Sequence, residues 1–238
     1  MNLIFDQISR GDDPINETSF TLTLKKALVE KLRDEIICGG LIPGQHLRLE
    51  EIAGRFEIST MPVREALREL ESEGLVTIFP HKRAVVTRLS PEDLQDIYEI
   101  RATLEEMATR LAVPLLTENT LKQLETVVEQ INNHFGEVVL QVKLNHTFHN
   151  TLYAASGRKH LCELTNMLRH RTQHYLHAFI THLGGMPQAQ EEHRAILRAC
   201  RRGDAEEAAS IMQEHVAKVG QSIIAYVQRT NKTEQTEA

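Results

Sequence analysis

The chain has 238 residues, of which 41% are hydrophobic and 25% are charged, a composition typical of a globular protein with a substantial core. This length suits one large domain or two modest ones. No apolar run approaches the roughly 18 residues that a membrane span needs, and the N-terminus lacks the pattern of a secretory signal. Three widely spaced cysteines, Cys38, Cys162 and Cys200, argue against a disulfide framework and predict a cytoplasmic protein.

The formal net charge of −6 is unevenly distributed along the chain. Residues 1–21 carry −3, residues 22–89 carry +1, and residues 90–238 carry −4. Ten of the 12 histidines follow residue 90. Segments that differ in this way predict two domains with two roles. We place a flexible arm at 1–21, one domain at 22–89, a second domain at 90–230 and a disordered tail at 231–238.

The first domain shows the pattern of three short helices followed by a hairpin. An apolar helical stripe ends at Gly39, a second short helix follows, and Ser59 opens a third helix that Gly74 is placed to end. Two β-branched runs, LVTIF and AVVTRL, flank residues 80–83. This order predicts a winged helix-turn-helix, whose third helix enters the DNA major groove and whose hairpin forms the wing. A winged helix that makes only protein contacts is the alternative.

Polar and basic side chains of the third helix and the hairpin are candidates for DNA contact. The N-terminus of a helix suits a phosphate oxygen, and Arg64 suits a guanine edge, which arginine reads bidentately. Arg68, four residues later, either contacts DNA or pairs with Glu65 or Glu71. The predicted DNA-binding set is Ser59, Thr60, Met61, Arg64, Arg68, Lys82 and Arg83.

After Leu89 the hydrophobic pattern becomes helical throughout. Ser90, Pro91 and Asp93 form a helix start with a capping residue, a proline in the first turn and an acid at the third position. The pattern predicts six amphipathic helices, which begin near residues 91, 117, 137, 159, 188 and 204. Since no convincing strand interrupts them, we predict an all-α bundle in a chain that is mostly α.

Both halves resemble the GntR family of bacterial transcription regulators. The segment PGQHLRLEEIAGRFEISTMPVREALRELESEGLV is similar to the winged-helix domain of that family. The landmarks DIYEIRATLE, EEHRAIL and MQEHV resemble the FCD ligand-binding domain of its FadR-like branch. Thr60 departs from the resemblance, because most members have a DNA-contacting arginine there, and so does Arg83, where most have glycine.

The resemblance implies a ligand-responsive transcription regulator, expected to be a repressor that binds an inverted-repeat operator as a homodimer. We therefore expect double-stranded DNA, a small-molecule effector and a second copy of the chain as partners, and no membrane. The ligands of the family include many small carboxylates, so the expected effector is an organic acid.

Histidines of the second domain predict a metal site. His149, His193 and His215 lie in register with the apolar stripes of three different helices, so they can converge inside the bundle. Asn145 lies one turn before His149, at a position where the family usually has a metal-ligating aspartate. Imidazoles suit a divalent ion, with zinc or nickel expected. The alternative is that each histidine is a hydrogen-bonded core residue.

The predicted effector-binding residues are Arg101, Arg171 and His174. Arg101 shares the apolar face of its helix, where a guanidinium is unfavourable unless an anion meets it. That anion is either the effector or Glu105, four residues later. His170 and His177 recur at helical spacing with His174, but a solvated helix face is favoured for both of them.

A metalloenzyme and an effector-independent DNA-binding protein are the two alternative classes of function. A helical metalloenzyme would use the histidine cluster, but the sequence has no His-Glu-x-x-His motif, no Ser/His/Asp arrangement and no Gly-rich phosphate loop, so we expect the protein not to be an enzyme. A DNA-binding protein without an effector would leave the inward-facing polar groups unexplained, because buried polar groups reduce stability.

Overall fold

A computed structural model of the chain describes residues 17–79, 83–184 and 186–236. The first domain consists of α1 (Glu17–Ile37), β1 (His46–Leu47), α2 (Leu49–Phe56), α3 (Thr60–Ser72), β2 (Val76–Phe79) and β3 (Arg83–Val86). The second consists of α4 (Pro91–Ala112), a 3-10 turn (Val113–Leu115), α5 (Glu118–Asn133), α6 (Val138–Ala154), α7 (Lys159–Arg171), α8 (Gln173–Leu183), α9 (Met186–Arg202) and α10 (Ala205–Thr236).

The first domain is a winged helix-turn-helix, as predicted. Its three helices pack around a core that includes Leu32, Val63 and Leu70. The wing strands β2 and β3 are antiparallel, with Thr77 opposite Val85. The two-residue strand β1 completes a sheet of order β1-β3-β2, and sequence periodicity does not reveal so short a strand.

Both ends of the described chain are more helical than predicted. Helix α1 begins at Glu17, inside the segment predicted as an arm, and α10 continues to Thr236, inside the predicted tail. Residues 15–38 and 221–236 contain neither glycine nor proline, so nothing in the local sequence stops either helix. Within the described residues, no helix has the length and apolar character to cross a membrane.

The second domain is an all-α bundle built around the antiparallel pair α4 and α10. Ser90 and Asp93 form the predicted capping box, with both hydrogen bonds at 3.0 Å. Gly220 of α10 lies directly against Tyr98 of α4, where a Cβ atom would be 2.6 Å from the ring. This close approach allows the two helices to pack along their length and to form one wall of the core.

The predicted fourth helix of this domain is divided into α7 and α8 at Thr172. The φ and ψ angles of Thr172 are −107° and 3°, and its hydroxyl lies 3.2 Å from the carbonyl oxygen of Arg169. The same hydroxyl accepts a hydrogen bond of 2.8 Å from Arg101. A long-range contact therefore accompanies the break, which explains why the local pattern alone does not predict it.

Candidate functional site

The three predicted metal-binding histidines converge at the centre of the bundle. His149 comes from α6, His193 from α9 and His215 from α10, and all three are buried. Each ring offers one nitrogen atom, and these three nitrogens lie within 4.8 Å of one another. Three imidazoles at such separations are suited to one divalent ion, provided that their free nitrogens carry lone pairs.

Hydrogen bonds determine which nitrogen of each ring is free. Nδ1 of His193 lies 2.8 Å from Oε1 of Gln190, and Nδ1 of His215 lies 2.6 Å from a carboxylate oxygen of Glu192. Both partners accept hydrogen bonds, so both Nδ1 atoms carry a proton, and in the neutral form of each ring Nε2 keeps a lone pair.

His149 follows the same arrangement through Tyr153. Its Nδ1 lies 2.8 Å from the Tyr153 hydroxyl, which donates its own proton to Glu105 at 2.5 Å. The hydroxyl oxygen therefore accepts from His149, and Nε2 of that ring is again left with a lone pair. Metal-binding histidines are typically oriented by a second hydrogen bond of this kind.

Burial keeps two of these rings neutral. Burial lowers the pKa of His149 well below its usual value, and the positive charge of Arg169 lowers it further. Burial also lowers the pKa of His193 well below its usual value. Neutral imidazole is the form that binds metal. Nε2 of His193 is buried without any hydrogen-bond partner among the described residues, which is unfavourable unless something fills the centre. The donor set therefore fits a divalent metal ion.

A cavity adjoins the histidine cluster and is lined by two of its members, His149 and His215. Asn145 lies one turn before His149, is buried and lines the cavity, so its carbonyl oxygen is a possible fourth ligand. The cavity offers a volume of about 30 Å³ to the centres of water-sized molecules, which is enough for roughly two of them. A ligand larger than this requires the surrounding side chains to move.

A buried charged cluster forms another wall of the cavity. Arg101 donates a hydrogen bond of 2.8 Å to Glu105, and Arg169 donates one of 3.0 Å to the other carboxylate oxygen. Arg101 thus has the intramolecular partner that the sequence left as an alternative, and it also lines the cavity. Burial raises the pKa of Glu105, but the charges of Arg101 and Arg169 more than offset this, so the pKa lies below its usual value.

The cluster carries one positive charge in excess, because two guanidinium groups face one carboxylate. Nε of Arg169 is buried without a hydrogen-bond partner among the described residues. Sequence reasoning missed Arg169, although it follows the buried Leu168 and lies four residues after the buried Thr165, on the inner stripe of α7. The excess charge and the free donor make this wall suited to an anion.

Two of the predicted effector residues do not line this cavity. The side chain of Arg171 packs against Gly74 of the first domain. His174 is buried against Tyr175, with a ring separation of 4.0 Å, and neither of its nitrogens has a hydrogen-bond partner among the described residues. The helical period of the divided α7–α8 segment changes at Thr172, so its faces differ from those of one continuous helix.

Within the described residues, five of the predicted DNA-binding side chains are exposed to solvent. Ser59 is the residue before α3, Met61 is 61% exposed, and Arg64 and Arg68 are exposed on the outer face. Neither arginine has an ion-pair partner within the described residues, and Glu71 instead accepts from the backbone of Ile78. Thr60 begins the helix, and Arg83 is exposed at the start of β3. Lys82 lies outside the described residues.

Comparison with known proteins decides the family. Residues 24–86 match the model described as bacterial regulatory proteins, gntR family, and residues 96–218 match the model of the FCD domain. This chain belongs to the GntR family.

Curated relatives and a solved structure support the same assignment. The GntR-family chain is 30% identical to the transcriptional regulator YdhC of Bacillus subtilis over 78% of its own length and 84% of that protein. It is 29% identical to McbR of Escherichia coli over 87% of its length and 96% of that regulator. The structure of Escherichia coli McbR/YncC covers 87% of this chain and 98% of its own, with a TM-score of 0.72 and 26% identity.

The GntR-family chain is therefore a DNA-binding transcriptional regulator with an FCD domain, and not an enzyme. We call α3, which is the third helix of the winged helix-turn-helix, the recognition helix after its predicted role. The histidine cluster lies inside the FCD domain, between residues 96 and 218.

Proposed function

We propose that this GntR-family regulator is a repressor that binds one divalent metal ion and, through that ion, a small carboxylate. The observation that carries the proposal is the common orientation of three buried imidazoles. His149, His193 and His215 each use Nδ1 for a hydrogen bond, which leaves Nε2 available, and the three rings bring one nitrogen each within 4.8 Å of the others. A hydrogen-bonded core without a metal gives no reason for this arrangement.

Zinc or nickel suits three imidazoles, and Asn145 would add a neutral oxygen ligand. Metal sites of the ligand-binding kind keep at least one position open, which an effector oxygen can occupy. Because Asn145 contributes no negative charge, the ion would be held more weakly than with an aspartate at this position. An anionic effector would supply the missing charge.

A carboxylate also matches the charged wall of the cavity. Arg101 and Arg169 exceed Glu105 by one positive charge. Nε of Arg169, which has no hydrogen-bond partner among the described residues, can donate to an incoming anion. A group with one negative charge and two oxygens could contact the metal on one side and Arg169 on the other.

Repression through an inverted repeat requires two copies of the chain. The outer faces of α4 and α7 carry exposed apolar side chains. The two helices lie side by side, joined by the hydrogen bonds of Arg101 with Thr172 and of Arg169 with Glu105. Within the described residues these apolar side chains, each 42–50% exposed, are Ile100, Met107, Leu164 and Met167. We propose that this face contacts the same face of a second copy, and that the dimer acts in the cytoplasm, where bacterial DNA is located.

The proposal is tested by metal analysis of the protein purified without a histidine tag. We expect about one zinc or nickel ion per chain, lost in His149→Ala, His193→Ala and His215→Ala and retained in His170→Ala. With metal bound, a screen of small carboxylates should raise the melting temperature for at least one compound, because a ligand of the folded state stabilises it. A wild-type chain that binds no divalent ion at micromolar concentration contradicts the metal site, and a screen without any shift contradicts the effector class.

A further inference from the structure

The C-terminal end of α7 lies between the cavity and the recognition helix. Arg169 faces the cavity and pairs with Glu105. The next two residues, His170 and Arg171, contact the first domain at the point where the recognition helix ends. Taken together, these three consecutive residues connect the cavity with the first domain, and all three belong to the last turn of α7.

On the side of the recognition helix, the contact is made with Glu73, the first residue after α3. Arg33 of α1 holds both carboxylate oxygens of Glu73, at 2.9 and 2.6 Å, and Nδ1 of His170 lies 3.8 Å from the carboxylate. Burial raises the pKa of Glu73, but the neighbouring His170 and Arg33 lower it more strongly, to about 2. Glu73 is therefore charged and held between α1 and α7.

The backbone at this point is packed tightly against α7. Gly74 has a φ of +77°, and a Cβ atom there would lie 2.4 Å from Cγ of Arg171. The stem of Arg171 therefore rests directly on the chain that leaves the recognition helix. A packed contact of this kind transmits a shift instead of absorbing it.

On the side of the cavity, His170 meets His146. Their Nε2 atoms are 3.4 Å apart and their ring centroids 5.0 Å apart. His146 lines the cavity and directly follows Asn145. Contacts therefore run without interruption from the cavity through His146 and His170 to Glu73.

We infer that His170 couples occupancy of the cavity to the position of the recognition helix. The inference rests on the proposed function, since it requires a ligand in the cavity. His149 and His215 line the cavity together with His146 and Arg169, so a metal ion bound there repels the Arg169 guanidinium and shifts the neighbouring His146, and the last turn of α7 moves with them. That turn contacts Glu73 and Gly74, so the end of the recognition helix shifts and the affinity for DNA changes.

The first experiment measures DNA affinity with and without zinc, by fluorescence anisotropy on a duplex enriched from a random pool by the wild-type protein. We expect zinc to change the wild-type dissociation constant by roughly 5- to 150-fold. His170→Ala should reduce this factor to below about twofold, while its zinc affinity and its zinc-free DNA affinity stay close to wild type. His160→Ala changes an exposed histidine of the same helix, and its dissociation constant for DNA should respond to zinc as strongly as that of the wild type. Retention of the wild-type factor in His170→Ala would overturn the inference.

The second experiment needs no ligand. A double-mutant cycle combines His146→Ala, on the cavity side, with Glu73→Gln, at the recognition helix, and reads DNA affinity in the absence of metal. We expect the double variant to differ from the product of the single effects by at least about twofold, whereas multiplicative effects would overturn the inference.

The two proposals fail in different ways. If the wild type binds no zinc, the proposed metal site fails, and the cycle alone decides the coupling. If zinc binds and leaves the DNA affinity of the wild type unchanged, the coupling is contradicted while the metal site stands.

Discussion

Oε1 of Gln190 lies 2.8 Å from Nδ1 of His193 in the buried interior of the second domain. The amide nitrogen of Gln190 donates to the backbone oxygen of Val128 and to Oδ1 of Asn132, at 3.1 Å each. These two bonds hold the glutamine oxygen towards the histidine. Gln190 therefore sets the tautomer and the orientation of His193.

Replacing this glutamine should weaken metal binding without removing a ligand. We expect Gln190→Leu to reduce zinc affinity by about 10- to 100-fold, since partners of metal-binding histidines typically have effects of this size. A competition titration with a chelating dye measures the change. Gln123→Ala, at an exposed position of α5, serves as the control and should bind zinc like the wild type. Equal affinities for wild type and Gln190→Leu would contradict the assigned role.

Restoring the charge at residue 145 should strengthen metal binding. Asn145→Asp places a carboxylate beside the cluster, and we expect zinc to bind about tenfold more tightly, equivalent to ~1.4 kcal/mol. The same titration measures it, with Asn133→Asp at the exposed end of α5 as the matched control. Unchanged or weaker binding in Asn145→Asp would show that residue 145 is not a ligand.

The buried carboxylate of Glu105 should be important for stability. Glu105→Gln leaves Arg101 and Arg169 without a compensating charge, and removing one partner of a buried ion pair costs about 3–5 kcal/mol. Urea denaturation followed by circular dichroism checks this value. Glu99→Gln, at an exposed position on the same helix, should change stability by less than about 0.5 kcal/mol. A similar small change in Glu105→Gln would be inconsistent with the ion-pair cluster.

His174 should make the stability depend on pH. Burial lowers the pKa of His174 to about 4, whereas the unfolded chain binds the proton near pH 6.5. Between these pH values the unfolded state binds more protons than the folded state. His174 therefore leaves the free energy of unfolding unchanged above about pH 6.5 and lowers it as the pH decreases towards 4. At pH 5 this histidine lowers the free energy of unfolding by about 2 kcal/mol.

The change His174→Leu should remove this part of the pH dependence. Denaturation at pH 7.5 and pH 5 should show a difference in unfolding free energy that is smaller by about 2 kcal/mol in His174→Leu than in the wild type. His134→Leu, which changes an exposed histidine, should leave the difference as it is. The same pH dependence in all three proteins would contradict a buried neutral imidazole.

Arg64 should contribute to the recognition of a particular base. Arg64→Ala removes from the recognition helix an exposed guanidinium that has no ion-pair partner among the described residues. We expect a loss of about 1–3 kcal/mol in DNA affinity, with relaxed preference at one base pair. Anisotropy titrations against operators with single substitutions measure both effects. Arg202→Ala, in the second domain, should bind like the wild type. If Arg64→Ala weakens binding to every sequence equally, the arginine contacts phosphate and not a base.

The local sequence determined the winged helix-turn-helix and the helical character of the residues that follow it. Hydrophobic periodicity and the capping residues around Ser59 and Ser90 were sufficient to predict the winged helix and the start of the bundle. Periodicity also placed His149, His193 and His215 on inner faces, because a helical stripe shows which side of a helix is buried.

Tertiary structure alone decided which buried faces meet. Three contacts of this kind join residues that are more than 60 positions apart in the chain. They are the hydrogen bond of Arg101 with Thr172 at the helix break, the ion pair of Arg169 with Glu105, and the contact of His170 with Glu73. A local pattern carries no information on such pairs, since the helical period states that a face is buried but not what it is buried against. The position of Arg171 against Gly74 and the hydrogen bond of His215 with Glu192 likewise follow from tertiary packing, which depends on the whole fold.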